Sequence, residues 1–537
     1  MSTLAPAGLR DAAARRMERA RARRADADHD PGGAHAGARS SWASRITAAA
    51  VIAAGALVLR ALAGVGFANY DTLYALVWGQ QLARGETPQY GVPIAPTPHP
   101  LMEALGFVFS PLGAGAASDV SVWVGYLALS ACGYFIYRLG ATWFNRPVGA
   151  LAALILLTRT PLVSYGSRAY IDLPFLALML GAMLVEARRP RAGASVLALL
   201  ALAGLLRPEA WVFSGLYWLY LAASGRVAFD AGTRRLRRVG VRTAAGEEAA
   251  PRRSRSELAR LALLACAAPA LWLLSDGLVT GNPLWSLTHT RQTASTLDRV
   301  TGIGNVPEYI PRRVGEIVRP VELVAAALGG VLSLLWMPAR ARMAAIVGVV
   351  AVLVFALLAA FGLPIDTRYA FLAGAILCLF CAVGVLGWML LPAGEGRRRA
   401  WALAGGALVV GLVVSIPGEY SRLHGQLRNL SRQQQIQDDL LALVHSHALA
   451  TSCGPIGVPN HAPIPLLALR LHVRPGEITS AQVQPITRGS YVEAANQQVR
   501  TQYILDPHEP HPLVAAVPAG FARVGSNRSW VLYERCG

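Results

Sequence analysis

Apolar runs of helical length dominate the chain, and short polar stretches separate them. A helix needs roughly 20 apolar residues to cross a bilayer. Runs that meet or approach this length lie at about 46–67, 119–138, 147–164, 172–187, 192–206, 209–223, 259–279, 319–337, 343–363, 369–391 and 400–417. The pattern predicts about eleven transmembrane helices, forming one transmembrane domain over residues 45–417. Residues 1–44 are rich in Ala, Arg and Asp and read as a basic tail, disordered or loosely helical. Residues 418–537 are polar, with a helix near 433–447 and short β-like runs such as Trp530-Val531-Leu532-Tyr533. They read as a small α/β domain. The expected fold class is therefore an α-helical polytopic membrane protein with a small α/β domain at its C-terminal end.

Arginine placement sets the expected orientation. With the N-terminus inside and the spans alternating, the inner loops receive Arg138 and Arg146; Arg188, Arg189 and Arg191; Arg234, Arg235, Arg237 and Arg238 with Arg252, Arg253 and Arg255; Arg340 and Arg342; and Arg397, Arg398 and Arg399. The dense clusters thus share one side, as the positive-inside rule requires. An odd number of spans then puts the C-terminal domain outside. The expectation is an inner (plasma) membrane protein with a cytoplasmic N-terminus and an extracytoplasmic C-terminal domain. The cytoplasmic Arg-rich loop of 224–257 is polar, and no cleavable signal peptide is evident before the first apolar run.

Composition supports lipid as the solvent. Of the 537 residues, 54% are hydrophobic and only 15% charged, against about 25% charged in soluble domains. The net charge of +19 comes entirely from Arg, because the chain contains no Lys. Such a charge can mark nucleic-acid binding, but here it clusters between apolar segments, which argues against a nucleic-acid partner and for contact with membrane lipids. Of six Cys, Cys132, Cys266, Cys378 and Cys381 lie in apolar runs and read as packing. Cys453 and Cys536 lie in polar sequence and are candidates for a disulfide in an oxidising exterior. The His residues of the tail lack metal-ligand spacing, so no metal site is expected.

Charge near a membrane core is costly, so charged residues at the predicted outer helix ends are site candidates. They are Asp71, Arg168 with Asp172, Arg207 with Glu209, and Asp366 with Arg368. Two outer loops accompany them, 68–118 and 280–318. In the first, Asp71, Tyr74 and Trp78 stand at i, i+3 and i+7 on one helix face, followed by a Pro-rich turn that contains His99. Residues 101–112 read as a short apolar helix interrupted by Pro111.

These segments resemble the GT-C class of integral-membrane glycosyltransferases, the group of protein O-mannosyltransferases and aminoarabinose transferases. The resemblance rests on Tyr70-Asp71-Thr72-Leu73-Tyr74 with Gly85 and Pro98-His99-Pro100-Leu101; on Ser167-Arg168-Ala169-Tyr170-Ile171-Asp172-Leu173-Pro174; on Leu206-Arg207-Pro208-Glu209-Ala210; and on Asp366-Thr367-Arg368-Tyr369. It implies a GT-C-like transmembrane domain, a polyprenyl-phosphate sugar donor, and an envelope glycan, lipid or protein as acceptor. It also implies that Asp71 is the general base. Inverting transfer needs one carboxylate to take the proton of the attacking hydroxyl, and the leaving phosphate needs a cation, for which Arg207 and Arg368 are candidates. Asp172 would orient the acceptor or pair with Arg168. Two departures from the family pattern stand out. Asp71 is a lone acid where some members carry two, and one carboxylate holds Mg²⁺ or Mn²⁺ poorly, so no cofactor is expected. His99 precedes a single Pro100 where a Lys before Pro-Pro is common.

Each residue also has a purely structural reading. Asp71 could be the N-cap of its helix. Arg168 with Asp172, and Asp366 with Arg368, could be interfacial ion pairs. Arg207 and Glu209 could anchor a helix end, and Trp78 could belong to an aromatic belt rather than to a sugar platform. Two other functions fit the same pattern: a transporter or flippase of a lipid-linked substrate, and a non-catalytic envelope-assembly scaffold. Transporters favour charge at the midplane and internal repeats, and neither is visible here.

Overall fold

The structure is a computed structural model that describes residues 31–230, 253–446, 449, 454–504 and 516–536. The chain divides into two units, Met1–Gly55 and Ala56–Gly537. The first thirty residues of the expected basic tail lie outside the described residues, as does most of the loop of 224–257. The tail's remaining residues are helical, within α1 (Pro31–Ala63).

The helical part continues with α2 (Tyr70–Ala83), α3 (Pro100–Phe109) and α4 (Gly113–Trp143). Next come α5 (Arg146–Leu157), α6 (Thr160–Ser167), α7 (Asp172–Arg188), α8 (Ala194–Gly204) and α9 (Glu209–Asp230). Later in the chain follow α10 (Arg255–Thr280), α11 (Trp285–Thr296), α12 (Val306–Ile317), α13 (Pro320–Trp336), α14 (Pro338–Ala360), α15 (Phe371–Leu386) and α16 (Gly396–His445).

Among the described residues, six helices are long and apolar enough to cross a membrane: Ala43–Ala63, Pro100–Trp143, Arg255–Thr280, Pro338–Ala360, Thr367–Leu390 and Gly396–His445. Two bent pairs raise this to eight, α5 with α6 (64°) and Ile303–Ile317 with α13 (102°). The expectation of eleven spans counted α7 and α8 separately, yet these helices have only 17 and 11 residues. Hydropathy alone does not separate a helix that faces lipid from one buried in the bundle. Leu173, Leu176, Leu180 and Leu184 of α7 are buried inside it, beside Cys132, Leu197, Cys378 and Cys381. Those three Cys are free thiols in that core.

The first predicted outer loop is a pair of helices pressed together. A Cβ on Gly79 of α2 would come within 2.3 Å of the Gly106 backbone, and one on Gly106 of α3 within 2.5 Å of Ala75 O. Only glycine allows two helix backbones to approach this closely. The 3-10 turn Ser110–Leu112 then carries α3 into α4, so the predicted span at 119–138 begins earlier, at Gly113.

The C-terminal region is not separated from the bundle at residue 418. One helix of 50 residues, α16, runs from Gly396 to His445 with Pro417 inside it. Proline costs a helix one backbone hydrogen bond but does not always end it, so the predicted span at 400–417 and the predicted helix near 433–447 are one element. Beyond it lie β1 (Ile456–Val458), α17 (Ile464–Leu471), β2 (Ile478–Ser480), β3 (Gly489–Ala494), β4 (Ala522–Ser526) and β5 (Trp530–Arg535). The strands form one sheet in the order β2-β1-β3-β5-β4, with β1 parallel to β2 and β3, and β5 antiparallel to β3 and β4. A small sheet with α17 stands where the sequence predicts a small α/β domain, within the same compact unit, Ala56–Gly537, as the helical bundle. Cys536 is disulfide-bonded, and Cys453, the partner expected for it, lies outside the described residues.

A second hydrophobic core joins this region to α2. Leu73, Tyr74, Val77 and Trp78 pack with Leu440 and Leu443 of α16, with Leu466 and Leu467 of α17, and with Trp530. Gln80 Nε2 meets His472 Nδ1 at 2.9 Å, and Arg474 reaches Glu86 at 3.2 Å. The helix that carries Asp71 is therefore clamped between bundle and sheet.

The α2–α3 crossing is testable. Gly106→Val forces a side chain into backbone and should cost about 1–3 kcal/mol, seen as a lower melting temperature in detergent. Gly91→Ala, at a site with nothing within 4 Å, should leave the melting temperature unchanged.

Candidate functional site

Asp71 sits in the first turn of α2, but it is not the cap. Asn69 is the N-cap, and its Oδ1 accepts from the N–H groups of Asp71 (2.8 Å) and Thr72 (3.2 Å). Asn69 Nδ2 also donates to Arg168 O at 2.8 Å, which ties α2 to the end of α6. With the capping role taken, the Asp71 carboxylate is free to face Arg368, whose Nη1 donates to Oδ2 at 3.0 Å. Arg368 Nε stands 3.3 Å from Asp366 Oδ2, an ionic contact. The expected pairing of Asp366 with Arg368 is present, and Asp71 joins it from 297 residues away.

The second guanidinium is Arg207, at the turn between α8 and α9. Its Nη1 donates to Asp172 Oδ1, and its Nη2 lies 2.7 Å from Glu209 Oε1. All three side chains are buried. Asp172 Oδ2 and Glu209 Oε2 are buried without a hydrogen-bond partner. The Tyr369 ring lies between the two centres, 4.4 Å from Arg207 Cζ and 5.7 Å from Arg368 Cζ.

The expected Arg168–Asp172 pair does not form. Arg168 donates to Ser164 O (3.2 Å) and Ser164 Oγ (3.0 Å), and lies over the rings of Tyr165 and Tyr170 at 5.3 and 4.9 Å. The reason is local. Ala169 adopts a left-handed φ of 57°, which breaks the helix between α6 and α7, so the i, i+4 relation never applies.

Asp71, His99, Arg168, Arg207, Glu209, Asp366 and Arg368 all line one cavity of about 1090 Å³. Asp172 stands behind Arg207. Trp78 does not line it: the ring is buried, and its Nε1 donates to Gln89 O at 3.2 Å among Tyr74 and Tyr90. It is neither a sugar platform nor a belt residue. His99 Nδ1 is buried without a partner, and the ring meets Trp272 edge-on. Burial first, then the nearby Arg207 and Arg368, lower its pKa from 6.5 to about 3, so His99 is neutral at ordinary pH. Among the described residues, no group of three or more His, Cys, Asp or Glu could hold a metal ion.

Several lining residues escaped the sequence reading. Arg313 of α12 donates to Ile365 O (2.9 Å) and Glu316 (2.8 Å), and Thr367 bonds the same Glu316. The amphipathic pattern of residues 306–317 is the signal that would have found them. Leu357 of α14 and Phe361 just beyond it, both exposed, with Leu358 and Leu363, give the cavity an apolar flank. Gln426, Asn429 and Gln433 of α16, with His461 and Tyr503, give it an uncharged polar one.

This is a multi-pass membrane protein with one large cavity that joins paired arginines and carboxylates to an apolar flank. No protein-family model matches the chain, and no curated protein matches it. Among solved structures it is similar to the crystal structure of ArnT from Cupriavidus metallidurans bound to undecaprenyl phosphate (TM-score 0.48, 14% identity, covering 90% of this chain and 97% of that one). The apo state of ArnT from Cupriavidus metallidurans matches similarly (TM-score 0.48, 14% identity, covering 92% and 98%).

The neutral state of His99 has a measurable consequence. A lowered folded pKa means that the unfolded chain takes up the proton first, so stability falls as pH drops below the unfolded value. The wild type should lose more melting temperature between pH 7.5 and pH 5 than His99→Gln does. Equal losses would show that His99 is not held neutral.

Proposed function

We propose that the protein is a membrane glycosyltransferase. It transfers a sugar from a polyprenyl-phosphate-linked donor to a cell-envelope acceptor, on the outer face of the membrane, with Asp71 as general base. The observation that carries this reading is the position of Asp71. It is relieved of capping by Asn69, fixed through Oδ2 by Arg368, and set in a cavity with cationic groups and an apolar flank. Among the described residues its Oδ1 accepts no hydrogen bond.

In the reaction, the acceptor hydroxyl attacks the anomeric carbon as Asp71 takes its proton. The bond from that carbon to the phosphate oxygen breaks, and its electron pair leaves with the polyprenyl phosphate. A phosphate leaves as a weak base, so it needs positive charge rather than a strong acid. Arg207 and Arg368 supply part of this field, though each already faces two carboxylates. Arg168, held by a serine and two tyrosine rings, has no carboxylate partner among the described residues and is the guanidinium best able to take a phosphate oxygen. The neutral His99 offers a hydrogen bond without adding charge. The apolar flank of α14 suits an isoprenoid chain, and Asp172 and Glu209 fix Arg207.

A transporter of the same lipid-linked substrate is the second reading. The 64° break between α5 and α6 falls beside the buried Arg159, which pairs with Glu322 at 2.7 Å, and broken helices with buried charge are common in transporters.

The test is glycosyl transfer by purified protein from a panel of polyprenyl-phosphate sugars. Asp71→Asn should lower the rate about a hundredfold or more, the scale of a lost general base. Equal rates would remove Asp71 from that role. A folded wild type that transfers from no donor would favour the transporter or the scaffold.

A further inference from the structure

Gln426, Asn429, Gln433 and Gln437 of α16 line the cavity. They stand at i, i+3, i+7 and i+11, which is one helix face, and all four are carboxamides. Arg422, Arg428, Arg432, Asp438 and Asp439 occupy the same stretch, but none of them lines the cavity. The helix thus presents uncharged donors and acceptors to a cavity whose remaining wall contains several arginines.

These amides are oriented by the protein and keep capacity to spare. Gln426 Nε2 donates to Ser164 Oγ (3.2 Å), and Gln433 Nε2 donates to Gln502 O (3.0 Å). Among the described residues, Oε1 of Gln426 and of Gln433 and the whole amide of Asn429 have no hydrogen-bond partner. Gln437 is occupied, by Ala68 O at 3.5 Å and by the Tyr503 hydroxyl. Ser164 Oγ also takes Arg168 Nη2 at 3.0 Å, and Arg168 O is held by the Asn69 cap. One hydrogen-bonded frame therefore connects the amide face to the turn that bears Asp71.

A carboxamide donates and accepts without charge, which matches a hydroxyl group. It offers little to a phosphate, which selects guanidinium or ammonium groups. From residue 426 to residue 433 the face runs about 10 Å along the helix axis, longer than a single sugar ring. We infer that Gln426, Asn429 and Gln433 form an acceptor subsite for a neutral, hydroxyl-rich oligosaccharide rather than for a phosphorylated lipid headgroup. The inference rests on the reading of Asp71 as the base that meets the acceptor hydroxyl.

Saturation-transfer NMR on the full-length protein in nanodiscs tests it, with mannotriose, arabinotriose and galactotriose as neutral probes and the corresponding monosaccharides for comparison. At least one trisaccharide should bind. Removing one amide-to-hydroxyl hydrogen bond should weaken its binding roughly five- to tenfold. That drop is expected in Asn429→Ala, whose side chain carries no internal bond, and again in Gln433→Leu. Asp71→Asn should still bind the trisaccharide while its transfer falls about a hundredfold, so loss of transfer with binding retained separates the base from the subsite. The inference is overturned if no trisaccharide binds to folded wild type, or if the amide variants bind as tightly as it does. A monosaccharide that binds as tightly as its trisaccharide would assign the face to the donor sugar and overturn the acceptor assignment. Transfer abolished in Asp71→Asn with no oligosaccharide binding in wild type would leave the proposed reaction standing and remove this subsite.

Discussion

Two guanidiniums, each faced by two carboxylates, organise this cavity. An arginine withdrawn from water near a membrane core must be paired, because an unpaired buried ion costs several kcal/mol. Arg207 meets that requirement with Asp172 and Glu209, and Arg368 with Asp71 and Asp366. The pairs draw together the start of α2, the start of α7, the turn between α8 and α9, and the segment before α15. Each trio carries a formal charge of −1, which sets the terms for any ligand. A phosphate entering here would meet carboxylates as well as arginines, which is why the proposed reaction gives Arg168 and the neutral His99 a part.

The Arg368–Asp71 pair holds only if α2 is itself held. Its outer face would otherwise expose Leu73, Tyr74, Val77 and Trp78. These side chains instead share a core with α16, α17 and β5, while Gly79 and Gly106 lock α2 onto α3 on another side. The unbroken course of α16 through Pro417 carries the chain from the apolar bundle to this second core. The C-terminal sheet is thus part of what positions Asp71, and the segments between its strands supply Gln502, Tyr503 and His461 to the cavity wall.

Much of this was legible in the sequence, for identifiable reasons. Charged residues at the ends of apolar runs stand out because such runs tolerate few of them, and the seven that line the cavity and were singled out (Asp71, His99, Arg168, Arg207, Glu209, Asp366 and Arg368) all came from that contrast or from the Pro-rich turn. Their pairing was less legible. Spacing suggested Arg168 with Asp172, but the left-handed Ala169 redirects the chain, and Asp172 finds Arg207 instead. Asp71 looked like a cap because aspartate caps well, yet Asn69 two residues earlier does the work. Trp78 was rightly placed on a face with Tyr74, but periodicity does not say which part of a face is covered by another element. The uncharged wall was missed because glutamines in a polar stretch look like solvated surface.

That wall is informative because of what the chain is made of. All 50 basic residues are Arg, so arginine is the common polar choice wherever a position tolerates it. In α16, Arg422, Arg428 and Arg432 fill neighbouring positions outside the cavity, while the cavity face between them carries amides. Two constraints converge there. A further guanidinium would compete with Arg207 and Arg368 for their carboxylates. A further carboxylate would compete with Asp71 for Arg368. A carboxamide avoids both penalties and still forms hydrogen bonds, so charge balance in the half of the cavity that holds the paired arginines favours an uncharged surface in the other. A neutral, hydroxyl-rich ligand of the kind inferred above would leave that balance undisturbed.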